Sequence, residues 1–289
     1  MIQDILVTGL VNGGVYALLA VGFSLIFGVA RIVNIAHTAF YMLAAYGIYV
    51  GLQVLHVPFA LAIVVSVAGV TALSLIFYKL VIEPVRQHES AVLIATIALA
   101  LIIQESLLLS FGGSFLGNPT IIEGTLSVAG ATLSYQQLLA LAAVGLMLLG
   151  TWWLLNRTRL GLAIRATAND LEVANLMGMN VRTVAMATVG ISVMLASIAG
   201  AVVAPLLVVD PFMWLGPLVT ILTVVVLGGL GSIKGSVIGA FLIGYVEALT
   251  VFLLPAGAFL KGAVALVIMI LVLLFRPEGL FGVAFEEER

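Results

Sequence analysis

Two glutamates lie inside long apolar stretches of this 289-residue chain, in which only 8% of the residues are charged. They are Glu105, in LALIIQESLLLS, and Glu247, in IGYVEALTVF. An ionisable side chain within a membrane-spanning helix costs about 2.5–3.5 kcal/mol on insertion scales, so it indicates a functional group by default. Such a carboxylate could line a pathway or take part in gating. The structural alternative, which we expect for both, is a buried carboxyl group that is hydrogen-bonded to polar neighbours.

Three further polar residues lie in the first two apolar stretches. The segment VNIAHTAFYMLAAY places Asn34 and His37 at the start of the second stretch. Asn34 is predicted to cap a helix that begins near Ile35, and the N-terminus of a broken helix could meet a substrate carboxylate. The alternative is an interfacial cap with His37 in the headgroup region. Asn12 lies among three glycines, where we expect it to bond backbone groups that a bend sets free, with pathway lining as the other interpretation.

The common catalytic patterns are missing from the sequence. The chain has neither HExxH nor GxSxG, it has no cysteine, and His37, His56 and His88 are far apart. The glycine-rich LGGLGSIKG lacks the GxxxxGK[ST] pattern of a phosphate-binding loop. We therefore expect no enzymatic activity, no metal and no cofactor. The net charge of −2 suggests no nucleic-acid partner.

One long polar segment, RLGLAIRATANDLEVANLMGMNVR, occupies residues 159–182. Four of the eight arginines gather around it: Arg157, Arg159, Arg165 and Arg182. Within 170–178 the sequence predicts one short helix. Asn169 is expected to cap it and Glu172 to complete a capping box, while Asp170 and Glu172 favour the positive end of the helix dipole. Gly178 is well placed to end the helix in the left-handed conformation.

Helical spacing also predicts a continuous stripe of apolar and small side chains through this segment. Its members are Leu160, Ile164, Thr167, Leu171, Ala174 and Gly178. The result is a compact helical elbow between two spans. It could be an interfacial loop whose arginines contact lipid phosphates. It could instead be a docking helix, with Ala174 and Gly178 where the groove of a cytoplasmic partner would approach closely.

The elements that position these residues are predicted to be membrane-spanning helices. The chain is 63% hydrophobic, with a mean hydropathy of +1.31, and only 8% of its residues are charged. Soluble domains contain about 25% charged residues. We predict an all-α polytopic helical bundle and no separate soluble domain. A span needs about 20 residues, and nine apolar stretches are found at roughly 5–28, 37–55, 58–82, 91–111, 136–156, 184–209, 216–233, 236–255 and 258–275. The second and seventh are glycine-rich or short, which indicates broken or re-entrant helices.

The placement of Lys and Arg predicts the orientation in the membrane. With the N-terminus outside and the C-terminus in the cytoplasm, ten of the eleven Lys and Arg residues are cytoplasmic, and Lys261 is the exception. An eight-span arrangement with the N-terminus inside is the rival, and it leaves Arg31 outside unless one stretch is re-entrant. Residues 112–135 contain no Lys or Arg and face outward, with TIIEGTLSV as a candidate hairpin. The N-terminus lacks a basic region and is expected to be a first span rather than a cleaved signal.

The segment EVANLMG, Glu172 to Gly178, resembles the E-A-A-x-x-x-G signature of ABC-importer permeases, with Val173 in place of the first Ala. The resemblance extends over essentially the whole chain, through four longer segments: GLVNGGVYALLAVGFSLIFGVARIVNIAHTAFYMLAAY, GLAIRATANDLEVANLMGMN, VVLGGLGSIKGSVIGAFLIG and FRPEGLFG. Together these segments resemble the LivH-type permease of branched-chain amino-acid importers. The resemblance implies one permease domain over 1–289, with a cytoplasmic coupling segment at 157–183 that sits in a groove of an ATPase subunit.

The same resemblance implies the partners and the cargo. A second homologous permease, two cytoplasmic ABC ATPases and an extracytoplasmic binding protein would complete the importer, within membrane lipid. The cargo would be a branched-chain or similar aliphatic amino acid, with urea or short amides as the closest competitors. The implied ATPase-coupling residues are Arg165, Asn169, Asp170, Glu172, Ala174 and Gly178. Candidate pathway residues are Asn12, Asn34, His37, Glu105 and Glu247.

A different class of transporter remains open from the sequence. In an ion-coupled secondary transporter that works alone, Glu105 and Glu247 would bind protons or sodium, and the broken helices would hold the cargo.

Overall fold

The computed structural model describes residues 2–119, 122, 124–128 and 131–281. The chain forms α1 (Ile2–Ala30), α2 (His37–Tyr49, extended by a π-helical turn Val50–Val54), α3 (Phe59–Phe77, extended by a π-helical turn Tyr78–Ile82), α4 (Glu83–Val85), α5 (Glu89–Phe111), β1 (Thr125–Val128), β2 (Ala131–Ser134), α6 (Tyr135–Arg157), α7 (Arg159–Asn169), α8 (Leu171–Leu176), α9 (Val181–Val203), α10 (Leu215–Gly228), α11 (Ile233–Leu253) and α12 (Gly257–Phe275).

The helical membrane fold expected from the sequence is confirmed. Within the described residues, seven helices are long and apolar enough to cross a membrane. Two further helices lie in apolar stretches: α2, with 13 residues before its π-helical turn, and the short apolar helix α10, with 14. They coincide with the second and seventh apolar stretches, which were predicted to be broken or re-entrant.

Helix α2 begins deep inside the bundle. The Nε2 atom of His37 lies 3.0 Å from the carbonyl oxygen of Leu19, which is about three turns, or roughly 16 Å, before the end of α1. Residues 31–36 return along α1 to this depth, and six extended residues can span about 20 Å. Arg31 reverses the chain with a φ of 53°. The second stretch is therefore a re-entrant segment followed by a buried helix.

Close packing in the bundle depends on glycines that face other helices. A methyl group on Gly244 of α11 would lie 2.6 Å from the Cα atom of Gly13 in α1. These two helices therefore touch backbone to backbone, as small residues allow in membrane proteins. Helix α2 is almost wholly buried against α9 and α3, whereas α12 leaves most of its surface exposed.

Contacts between loops define two ends of the bundle. At one end, Arg182 pairs with Glu83, and the backbone of Leu280 bonds that of Leu227 at 2.8 Å. At the opposite end, Leu116 and Val209 form an isolated β-bridge. The first end carries nine of the described Lys and Arg residues: Arg31, Lys79, Arg86, Arg157, Arg159, Arg165, Arg182, Lys234 and Arg276.

Residues 112–135 contain an antiparallel hairpin, β1–β2, but it does not coincide with the predicted TIIEGTLSV, because only β1 falls within that segment and β2 follows it. Glu123, half of the Glu-Gly pair that suggested it, lies outside the described residues, and Gly124 precedes β1. The hairpin lies at the end of the bundle opposite Arg182, directly before α6.

Candidate functional site

The elbow between α6 and α9 consists of two separate helices. Thr158 caps α7 by accepting a hydrogen bond from the Gly161 amide at 3.0 Å. Asp170 caps α8 by accepting from the Val173 amide at 2.9 Å. Asp170 has an extended backbone, with φ −151° and ψ 112°, so the break between the helices falls at this residue.

The cap predicted for Asn169 is therefore wrong by one residue. Asn169 is the last residue of α7, because the chain stays helical through it and turns at Asp170. Glu172 then occupies the second helical position, so the predicted capping box does not form. The acidic side chains remain in the first turn of α8, where they favour the helix dipole.

The predicted end of the short helix is confirmed at Gly178, whose φ is +81°. Its amide donates to the carbonyl of Asn175 at 3.0 Å, and the amide of Met179 donates to that of Ala174 at 3.1 Å. The left-handed conformation favours glycine. Helix α8 is therefore short, and it begins and ends at defined residues.

The middle of the stripe of small and apolar side chains faces the protein itself, whereas Leu160 and Gly178 at its two ends are exposed. Ile164, Thr167 and Ala174 are each at most 2% exposed, and the extended Asp170 divides the stripe between two helices. The expectation that Ala174 lies open to a partner is wrong, because it packs inward. The outward side of α8 carries Leu176, which is 84% exposed, and Met177, which is 76% exposed.

We call Val173, Leu176 and Met177 the docking face. Their spacing of three and four residues puts them on one side of α8, and all are exposed. They lie between spans, at the basic end of the bundle, where large apolar side chains gain nothing from exposure to water. Arg165, Asn169 and Glu172 are exposed in the same elbow. Sequence reasoning did not predict this face, because Val173 stood out only as a departure from the E-A-A-x-x-x-G signature.

Two cavities adjoin the elbow. One of about 490 Å³ is lined by Arg165, Gly28 and Ile233, among others. The larger, of about 1070 Å³, is lined by Arg31, Glu89, Asn169 and Glu278, among others. Both include Gly28, Ala168 and Gly231 in their walls. The elbow therefore borders open volume at the end of α1.

Glu247 is a buried carboxyl that joins three helices. It is 2% exposed, and its two oxygens accept hydrogen bonds from the Tyr16 hydroxyl at 2.7 Å and the Thr220 hydroxyl at 3.0 Å. This is the hydrogen-bonded arrangement that we expected of it. Its role as a pathway residue stays a prediction.

Glu105 differs from that expectation, because its side chain is exposed on α5. Its Oε1 atom accepts a hydrogen bond from Gln104 Nε2 at 3.1 Å, and Gln104 Oε1 accepts from the indole nitrogen of Trp214 at 2.8 Å. Gln104 and Trp214 are buried. Sequence reasoning missed both; the available signal was a second polar residue directly before Glu105 in an apolar helix.

Asn34 and His37 are placed differently from the sequence expectation. Helix α2 begins at His37, and Ala36 is its N-cap residue. Asn34 therefore does not cap with its side chain, whose buried Oδ1 atom has no partner among the described residues. His37 is completely buried and stacks edge-on against Phe23, far from a headgroup position. Their pathway role stays a prediction.

Asn12 lies in an unbroken α1 and is half-buried. The helix is not interrupted at Asn12, so the predicted break that would free backbone groups does not occur, and the neighbouring glycines instead accommodate side chains of other helices. Gly9 faces Tyr245 and Gly13 faces Phe241. Whether Asn12 lines a pathway stays a prediction.

Comparisons with known proteins agree with the geometry. The profile of the family described as "Branched-chain amino acid transport system / permease component" matches residues 5–273. The chain is 32% identical to the high-affinity branched-chain amino acid transport system permease protein BraD of Pseudomonas aeruginosa, over 96% of this chain and 94% of that one. It is 29% identical to the permease protein LivH of Escherichia coli, over 95% and 93%.

A solved structure shares the fold. The chain superposes on PsaBC from Streptococcus pneumoniae, determined in complex with Fab, with a TM-score of 0.53. The alignment covers 95% of this chain and 92% of that one at 15% sequence identity, so it supports the arrangement of helices alone.

Proposed function

Because the chain belongs to the family of branched-chain amino acid transport system permease components, we propose that it forms half of the membrane pathway of a binding-protein-dependent ABC importer. The cargo is a branched-chain or similar aliphatic amino acid, and ATP is hydrolysed on two partner ATPases. A second homologous permease forms the other half. The observation that carries the coupling role is the docking face, an exposed apolar surface outside the spans.

The proposed orientation follows from charge. The end of the bundle with nine described Lys and Arg residues faces the cytoplasm, as the positive-inside rule requires. The N-terminus and the hairpin then face outward, where a binding protein delivers cargo. Trp152 and Trp153, exposed near the basic end of α6, suit the lipid interface, where aromatic side chains are enriched.

The coupling movement begins at the docking face. Leu176 and Met177 enter a groove of the ATPase, while Arg165 and Glu172 contact its polar rim. Buried Ala174 joins the face to the rest of the chain, and the capped ends of α8 keep it rigid, so that movement of the ATPase displaces the helix as a unit.

The displacement then passes to the spans. Helix α7 follows α6 with a single residue, Thr158, between them. The end of α7 contacts α1, since a methyl group on Gly28 would lie 3.9 Å from Ala168 Cβ. Helix α1 is in backbone contact with α11. A shift of the elbow therefore reaches the buried centre of the bundle.

The experiment that tests this proposal is co-purification with the two ATPases after co-expression of all native subunits. Leu176→Asp places a charge in the docking face and is expected to abolish retention of the ATPases, with the second permease still bound. Leu55→Asp is the matched control, because Leu55 is also exposed, at 64%, but at the opposite end. Equal retention of the ATPases by both variants would contradict the docking role.

The cargo is tested with the assembled importer in proteoliposomes. ATP-driven uptake of radiolabelled leucine, isoleucine and valine is expected, competed by one another and not by urea or acetamide. Uptake of urea with no uptake of leucine would assign the chain to the amide carriers instead.

A further inference from the structure

Glu105 is a carboxylate exposed within a membrane-spanning helix. It lies six residues before the end of α5 (Glu89–Phe111), about 9 Å below that end. The exposed neighbours one turn away are the apolar Leu101, Ile102 and Leu109. A charge on such a face is costly in lipid and is retained where water, protein or a ligand meets it. The face around Glu105 therefore does not simply contact acyl chains.

The carboxylate is also held in a defined position. The indole N–H of Trp214 can only donate, so the oxygen of the Gln104 amide must face it, as the 2.8 Å hydrogen bond requires. The amide nitrogen then points to Glu105 Oε1, 3.1 Å away. Because an NH₂ group donates, Glu105 Oε1 is the acceptor of this hydrogen bond.

One oxygen of Glu105 is left for a ligand. Within the described residues, no donor other than Gln104 bonds this carboxylate. Gln104 and Trp214 are 7% and 4% exposed, so two buried side chains hold the carboxylate from behind while its free oxygen faces outward. Such support is what a binding group needs to be preorganised.

Glu105 lies at the end of the bundle where cargo would enter. Trp214 immediately precedes α10, and the Leu116–Val209 bridge lies at the same end. This end is opposite the docking face. In an importer it is the side at which cargo arrives.

We propose that Glu105 binds the α-ammonium group of the amino acid as it enters the permease, and that Gln104 and Trp214 position it. This inference rests on the proposed function. An ammonium group that leaves water needs a hydrogen-bonded counter-charge, and the apolar side chains around Glu105 accept an aliphatic substituent. Recognition of the ammonium group excludes cargo that lacks one.

The first test uses the complete importer in proteoliposomes, with leucine delivered by its binding protein. Glu105→Gln is expected to lower the maximal uptake rate about tenfold or more, since a charge-assisted hydrogen bond is lost. Glu105→Asp should retain more activity. Subunit composition, basal ATPase activity and leucine affinity of the binding protein should be unchanged. Wild-type uptake by Glu105→Gln would overturn the proposal.

The sign of the charge is tested by chemical modification, because the chain has no cysteine. In a complex with cysteine-free partners, Glu105→Cys should be inactive. Its reaction with sulfonatoethyl methanethiosulfonate, which adds a negative charge, should restore uptake. The aminoethyl reagent, which adds a positive charge, should not. Ile102→Cys, one turn away and exposed, is the control, which neither reagent should stimulate.

The positioning role is tested by non-additivity. Trp214→Phe removes the donor to Gln104 and should slow uptake about threefold to tenfold in the wild type, as loss of one hydrogen bond would. In the Glu105→Gln background, Trp214→Phe should not slow uptake any further, because Trp214 acts through the same carboxylate. Equal costs in both backgrounds would show that Trp214 is merely structural and would remove it from the proposal.

The outcomes separate this inference from the proposed function. If wild-type complex shows no ATP-driven amino-acid uptake, the proposed function fails. If the wild type transports but Glu105→Gln no longer binds the second permease, Glu105 pairs with that subunit and the ammonium proposal is overturned. If Glu105→Cys does not react with either reagent from outside, Glu105 is away from the entry route, which overturns it equally.

Discussion

The hydroxyl of Tyr16 donates a hydrogen bond of 2.7 Å to a carboxylate oxygen of Glu247, two residues that are far apart in the chain. The other oxygen accepts from Thr220 at 3.0 Å. Because the carboxyl group is buried between α1, α10 and α11, it joins the first helix to two near the C-terminus. The contact satisfies polar groups that would otherwise be costly to bury.

Replacement of Glu247 by Gln is expected to be tolerated. The amide can accept from one hydroxyl and donate to the other, so assembly and uptake should stay close to wild type. Glu247→Leu leaves both hydroxyls without an acceptor and should destabilise the permease by about 1–3 kcal/mol. Thermal unfolding in detergent, followed by size-exclusion chromatography, measures the difference. Loss of uptake in Glu247→Gln with intact assembly would instead indicate a pathway role.

The backbone contact between α1 and α11 makes Gly244 intolerant of a side chain. Gly244→Ala would place its methyl group 2.6 Å from the Cα of Gly13, and backbone cannot move aside cheaply. We expect a loss of about 1–3 kcal/mol. Gly145→Ala is the control, because nothing lies within 4 Å of a methyl group there. Equal thermal midpoints for the two variants would contradict this packing.

The cap of α8 should affect coupling more than folding. Asp170→Ala removes the acceptor for the Val173 amide, a loss of about 0.5–2 kcal/mol in local helix stability. A loosened α8 transmits less movement, so more ATP should be hydrolysed for each leucine transported. Asp170→Asn retains a good cap and should resemble the wild type. The ratio of ATP hydrolysed to leucine taken up measures this, and identical ratios in all three proteins would count against a rigid coupling helix.

A substitution at Gly178, which has a left-handed backbone, tests the other end of α8 independently. Gly178→Val puts a β-branched residue at a φ of +81°, which is strained whatever the surrounding space. Retention of the ATPases should fall, whereas Gly216→Val, at an exposed glycine with open space around it, should retain them. Full ATPase binding by Gly178→Val would show that the end of α8 is not needed for docking.

Composition and periodicity determine most of the fold. Nine apolar stretches predicted the spans, and the glycine content or shortness of the second and seventh indicated the two helices that differ from ordinary spans. The start of α2 was less predictable, since a long-range contact between His37 and Leu19, which local capping rules do not contain, decides it. The one-residue error at Asn169 arose because Asn and Asp are almost equal as caps.

The two buried-carboxylate predictions had different outcomes for a physical reason. Glu247 and Glu105 occur in similarly apolar sequences, and only the neighbouring helices decide which one is covered. Tyr16 and Thr220 come from distant segments to enclose Glu247, while Trp214 supports Glu105 from behind. Likewise, helical spacing grouped Ala174 with a stripe, but it could not show that Ala174 faces inward while Leu176 lies outside.

The most direct measurement is leucine uptake into proteoliposomes that contain this chain with its second permease and both ATPases. The binding protein is supplied outside and ATP inside. We predict uptake that requires both and that is lost in Leu176→Asp but not in Leu55→Asp. Uptake by this chain alone, driven by a proton or sodium gradient and unaffected by Leu176→Asp, would contradict the account.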